Sequence, residues 1–104
     1  MPVRVQLKVE PNPPAIGMVT MKVKVKNLAG YPMRIEHVHL SVTKDGQQVV
    51  NGLEGLPVGD FKAVGDGFYT AELELAAPGL YQLSIDLRHQ FTSYTVRRDI
   101  QVDG

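Results

Sequence analysis

Residues 65–85, Gly-Asp-Gly-Phe-Tyr-Thr-Ala-Glu-Leu-Glu-Leu-Ala-Ala-Pro-Gly-Leu-Tyr-Gln-Leu-Ser-Ile, leave this chain few architectures to choose from. Tyr69, Ala71, Leu73 and Leu75 alternate with Thr70, Glu72 and Glu74. Beyond the Pro78-Gly79 corner, Tyr81, Leu83 and Ile85 alternate with Gln82 and Ser84. Successive side chains of a strand point to opposite faces, so this period of two describes one buried and one wet face. A helix would scatter the same residues around its axis. The stretch therefore predicts two antiparallel strands with one face on a core.

The pattern recurs on both sides. Val3, Val5, Leu7 and Val9 alternate with Arg4, Gln6, Lys8 and Glu10, and Pro11, Pro13 and Pro14 end this first strand. Val19, Met21, Val23 and Val25 alternate with Thr20, Lys22, Lys24 and Lys26 in a second, stopped by turn residues from Asn27 to Pro32. A third runs from Arg34 to Thr43 with Val38, Leu40 and Val42 inward; Ile35 is out of phase, which predicts a bulge or twist at its start. Residues 47–51 fit a short fourth strand, Gly52 to Gly59 a loop, and Phe61 to Val64 a few ladder bonds. The fifth and sixth strands are Phe68 to Leu75 and Leu80 to Arg88. The seventh, Tyr94 to Val102, carries Arg98 at an inward-phased position, as an edge strand or a bulge would allow.

About seven short strands with regularly spaced turns and no helical periodicity predict an all-β, immunoglobulin-like antiparallel sandwich. A length of 104 residues suits a single domain spanning 1–104. With 43% hydrophobic and 21% charged residues the composition is that of a folding chain, and the absence of cysteine leaves packing to hold it. Eleven basic residues balance eleven acidic ones, so no net field favours nucleic acid or an anionic membrane as partner. No apolar run approaches the roughly 18 residues of a membrane span, and Met1-Pro2-Val3-Arg4 leads straight into a strand pattern with no leader signature. Tyr81, two residues before Leu83 and just after the Pro-Gly corner, occupies the place of a tyrosine corner; the alternative is an ordinary core aromatic.

Residues 11–17 (Pro-Asn-Pro-Pro-Ala-Ile-Gly), Asn27 to Met33, Gly67-Phe68-Tyr69 and Pro78-Gly79-Leu80-Tyr81-Gln82-Leu83 together resemble the YtkA-like/FixH-like family over nearly the whole chain. That resemblance implies a small extracytoplasmic β-sandwich, periplasmic or at the cell surface, in a family some of whose members are linked to copper handling or oxidase assembly. Family members often carry a methionine-rich, histidine-containing segment between the third and fifth strands. Here Val49 to Lys62 has neither Met nor His.

His37 and His39 are the most suggestive polar pair. Val38, Leu40 and Val42 claim the inward face, so both imidazoles project outward with their Cα atoms roughly 7 Å apart, a spacing at which they can share Cu(II), Zn(II) or Ni(II). In an immunoglobulin arrangement the third and sixth strands are antiparallel neighbours, which brings Asp86 and then His89 toward the pair. The candidate metal set is His37, His39, Asp86 and His89, with Met33 at its edge; the alternative is a pair of solvated histidines. Such a site needs neutral imidazoles, so affinity falls below about pH 6.5.

Tyr31 and Met33, before the third strand, and Phe91, after the sixth, share one end of the sandwich and could present an apolar patch to a protein partner. Arg4, Lys8, Lys22, Lys24 and Lys26 face outward, either as a basic stripe for an anionic partner or as cross-strand partners of Glu72 and Glu74. Ser41, Ser84 and Ser93 lack a nucleophile-elbow context, and Gly65-Asp66-Gly67 precedes a strand, not a phosphate-cradling helix, so the pattern points away from an enzyme. Three readings follow: a binding module that contacts protein through the loop end, a copper-binding domain using His37 and His39, and a structural spacer.

Overall fold

Period two in the sequence becomes period two in burial throughout the long inner strands of the computed structural model, which describes residues 3–51, 56–57 and 59–103. The strands are β1 (Val3–Glu10), β2 (Gly17–Asn27), β3 (His37–Lys44), β4 (Gln47–Gln48), β5 (Val50–Asn51), β6 (Leu56–Pro57), β7 (Lys62–Gly65), β8 (Phe68–Leu75), β9 (Gly79–His89) and β10 (Thr92–Val102). One antiparallel sheet has the order β1-β2-β8-β7 and the other β10-β9-β3-β4, with β5 and β6 forming a separate ribbon. The fold is the expected immunoglobulin-like sandwich, with eight strands in its two sheets.

Val19, Met21, Val23 and Val25 of β2, with Tyr69, Leu73 and Leu75 of β8, supply one half of the core. Val38, Leu40 and Val42 of β3 and Tyr81, Leu83, Ile85 and Leu87 of β9 supply the other. Full burial of each such side chain stabilises by about 1.5–3 kcal/mol. The two longest inner strands, β2 and β9, are flanked on both sides, whereas β1 lies at an edge and its valines are only half buried.

Several local expectations change. Residues 47–51 divide between β4, which pairs with β3, and β5, which pairs with β6. The loop expected over 52–59 lies largely outside the described residues, and β6 interrupts it. The short strand near 61–64 is β7, shifted one residue on and carrying a register irregularity between Ala63 and Gly65. Ile35 needs no bulge: β3 begins only at His37, so Ile35 is a buried residue of the preceding connection, where strand phase does not apply. Arg98 is accommodated by the edge position of β10, whose register with β9 is unbroken. Strand β8 lies beside β2 as expected, yet the register sets Glu72 opposite Thr20 and Glu74 opposite Met18, so no lysine of β2 is directly across from either carboxylate.

Tyr81 forms the corner. Its ring is buried and its hydroxyl donates to the Ala77 carbonyl at 2.6 Å, clamping the β8–β9 connection to the start of β9. Tyr81→Phe strands that carbonyl and is expected to lower stability by about 1–2 kcal/mol in denaturant titrations. Burial also holds the hydroxyl above the ordinary tyrosine value. A group whose folded pKa is raised stabilises fully below its unfolded value, about 10 for tyrosine, and loses that contribution as pH rises through the folded value. The wild-type advantage over Tyr81→Phe should therefore shrink on the alkaline side; an advantage that is absent at pH 7 contradicts the clamp.

Candidate metal centre

The outer face of β3 is built by the same alternation that builds the core. With Val38 and Leu40 buried, His37 and His39 stand on the opposite side, their side chains 47% and 39% exposed. Their rings stack with centroids 6.4 Å apart and planes inclined by 10°. One edge of β3 is taken by β9. Along the other edge, residues 59–61 run antiparallel to it: Leu40 N–H donates to the Gly59 carbonyl at 3.0 Å, and Phe61 N–H donates to the Val38 carbonyl at 2.8 Å. Phe61 is buried in the core, so Asp60, one residue earlier, must point outward and arrives directly across from His39.

Asp60 is the carboxylate that meets both histidines. Its Oδ1 lies 2.8 Å from His39 Nδ1 and 3.2 Å from His37 Nε2. These three ligand atoms all lie within 4.8 Å of one another. Around an ion held at about 2 Å by each ligand, neighbouring ligand atoms sit about 3 Å apart, and both carboxylate contacts have that length. An ion held among these atoms would meet two imidazole nitrogens and one carboxylate oxygen, with its remaining positions open to solvent.

The other expected ligands lie apart from this cluster. Asp86 is opposite His39 on β9, as the strand arrangement predicts, but its Oδ1 accepts the Thr95 hydroxyl at 2.7 Å on the side of β10. His39 thus stands between two aspartates, of which Asp60 engages it. His89, at the end of β9, pairs through Nδ1 with Glu36 Oε2 at 2.9 Å. The Glu36 carboxyl is held below its ordinary value chiefly by its own backbone amide, with His89 adding to the effect. Met33 packs partly buried against the core, whereas Tyr31 and Phe91 are 69% and 105% exposed. Asp60 falls inside the Val49 to Lys62 segment that has neither Met nor His. Its signal in the sequence is the neighbour Phe61, the one aromatic of that segment, which must face the core and so turns Asp60 out.

Among the described residues, no helix is long and apolar enough to cross a membrane. No family model matches the chain, and no curated protein matches it in sequence. Solved structures do match in three dimensions. An engineered protein superposes with a TM-score of 0.68 at 15% identity over 97% of this chain, which spans only 20% of that protein. The PmoD soluble domain from Methylocystis sp. ATCC 49242 superposes with a TM-score of 0.59 at 19% identity, covering 96% of this chain and 90% of that domain. A conjugative transposon lipoprotein from Bacteroides eggerthii DSM 20697 does so with 0.54 at 15% identity, covering 95% and 96%. At these identities the likeness is one of fold: the chain shares the small β-sandwich architecture of these domains.

Proposed function

We propose that this chain is a non-enzymatic, extracytoplasmic metal-binding domain that takes Cu(II), or Zn(II) in its place, through His37, His39 and Asp60. The observation that carries the reading is the single Asp60 oxygen set between two stacked imidazoles at coordination-edge distances. Two nitrogens and an oxygen, with no thiolate or thioether, suit a divalent ion, and Cu(II) heads the affinity order of divalent first-row metals at such donors. The resemblance to YtkA-like/FixH-like domains and the fold shared with a lipoprotein support the extracytoplasmic address.

Titration with Cu(II), Zn(II) and Cu(I), followed by the histidine NMR resonances, tests this. Cu(II) and Zn(II) are expected to shift or broaden His37 and His39 before His89, and lowering the pH should weaken binding because protons compete for both imidazoles. His37→Ala, His39→Ala and Asp60→Asn should each weaken binding at least about tenfold. No response at micromolar metal sinks the reading.

A second reading, protein contact through the loop end, draws on the exposure of Tyr31 and Phe91 where β3 begins and β9 ends. It requires that Tyr31→Ala or Phe91→Ala impair partner binding while leaving the metal response intact.

A further inference from the structure

The outer face of the β1-β2-β8-β7 sheet sets cations directly opposite one another across its β1–β2 ladder. Arg4 lies directly opposite Lys26, and Lys8 directly opposite Lys22, across the β1–β2 ladder. Lys24 stands between Lys22 and Lys26 on the same face, and Lys62 of β7 joins them beyond Thr70, which is itself opposite Lys22. Six of the chain's eleven lysines and arginines thus share one sheet face, with the carboxylates Glu10, Glu72 and Glu74 on the same face. Like charges directly opposite destabilise a ladder. Glu10 relieves part of this, reaching Lys22 at 3.3 Å and Lys8 at 3.7 Å. At the other end Lys24, through hydrogen bonding and charge, and Arg4, through charge, both press Lys26 below the ordinary lysine value.

The same face has an apolar groove of about 440 Å³, lined by Phe68, Val64 and residues of β1 and β2 that include Lys8, Lys22 and Lys24. Phe68 and Val64 are 45% and 60% exposed, and the Lys24 ammonium lies 5.2 Å from the Phe68 ring centroid. An apolar floor with a cationic rim asks for a ligand that is apolar at its centre and anionic at its flanks. Lys22, Lys24 and Lys26 recur at two-residue steps, about 7 Å apart along a strand. Carboxylates on every second residue of an extended segment have that same repeat. A planar bilayer would meet the lysines and leave the groove unfilled.

We infer that this face binds an extended acidic segment of a partner protein, with an apolar side chain in the Phe68–Val64 groove and carboxylates over Lys22, Lys24 and Lys26. The surface is separate from the His37–His39–Asp60 cluster, which lies on the opposite sheet, so the two can be tested independently. In that complex the partner's carboxylates neutralise cations that repel one another across the β1–β2 ladder.

The probe is a synthetic peptide alternating Glu and Thr around one central Phe, titrated into the whole chain and followed by amide NMR shifts. Shifts confined to β1, β2, β7 and β8 are expected, with affinity falling steeply as salt rises. Lys24→Glu with Lys26→Glu should weaken binding at least about tenfold, and a peptide with Gln for Glu should fail to bind. Phe68→Ser should weaken binding while keeping its salt dependence. Because Lys26→Glu removes repulsion with Arg4, it is expected to raise the melting temperature as it weakens the peptide, which separates lost binding from lost fold. The proposal is overturned if the peptide does not bind, if the double charge reversal leaves affinity unchanged, if phosphatidylserine vesicles bind this face and the peptide does not, or if the face serves self-association that the reversal abolishes.

Discussion

Tyr69→Phe, a change of one oxygen atom, is expected to lower the stability of this domain by about 1–3 kcal/mol. The Tyr69 ring is buried and its hydroxyl accepts the Ile35 N–H at 2.6 Å while donating to the Met33 carbonyl at 3.2 Å. Phenylalanine leaves the ring's packing in place and abandons a buried amide and a carbonyl in the β2–β3 connection. A buried donor without an acceptor costs its full desolvation. Tyr69→Ala adds a core cavity and should cost about 3–5 kcal/mol in total. In denaturant titrations the midpoint should fall with an unchanged slope. A Tyr69→Phe protein within about 0.5 kcal/mol of wild type, the range of neutral surface changes, would show that the hydroxyl does not hold the connection. The effect bears on the metal centre, because this connection delivers the chain to His37.

Tyr69 also marks where legibility in the sequence ends. Its inward orientation follows from alternation alone, as do those of Leu73, Leu83 and Ile85. Alternation is a local property that a strand imposes on its own residues. The outward pair His37 and His39 was legible for the same reason, and so was the neighbourhood of His39 and Asp86, because strand order in this architecture is nearly fixed. What Tyr69's hydroxyl would bond, and which carboxylate would meet the histidines, depends on irregular segments whose course has no period. Asp60 reaches His39 through two backbone hydrogen bonds and the burial of Phe61. Alternation turns Glu72 and Glu74 to the same face as the lysines of β2, but which residues stand directly opposite them, Thr20 and Met18, is set by a register that alternation does not specify. Five cations of the β1-β2-β8-β7 face were legible from alternation as an outward stripe, whereas Lys62 joins them only through the pairing of β7 with β8.

Gly67→Ala and Gly46→Ala offer a matched pair in which backbone strain and steric exclusion separate. Both glycines have positive φ, 75° and 76°, and both end two-residue turns that begin with aspartate. A side chain at Gly46 would meet open space, so Gly46→Ala should cost only the left-handed conformation, about 1–2 kcal/mol. At Gly67 an added Cβ would lie 2.7 Å from the Val25 carbonyl oxygen and 2.8 Å from the Pro32 Cβ. Neither neighbour can swing aside. Val25 is a buried residue of β2 whose N–H donates to the Gly67 carbonyl and whose carbonyl accepts from Met33, and Pro32 is bridged to Lys26. Gly67→Ala must therefore add an overpacking penalty of about 1–3 kcal/mol to the same φ cost. The difference between the two variants, measured by denaturant titration under one condition, reads the steric part alone. Equal losses would mean that the β2–β3 connection yields to a methyl group. A larger loss at Gly67, accompanied by altered His37 and His39 resonances, would establish that the close contact among β2, Pro32 and the β7–β8 turn fixes where β3 begins, and with it where the two imidazoles stand.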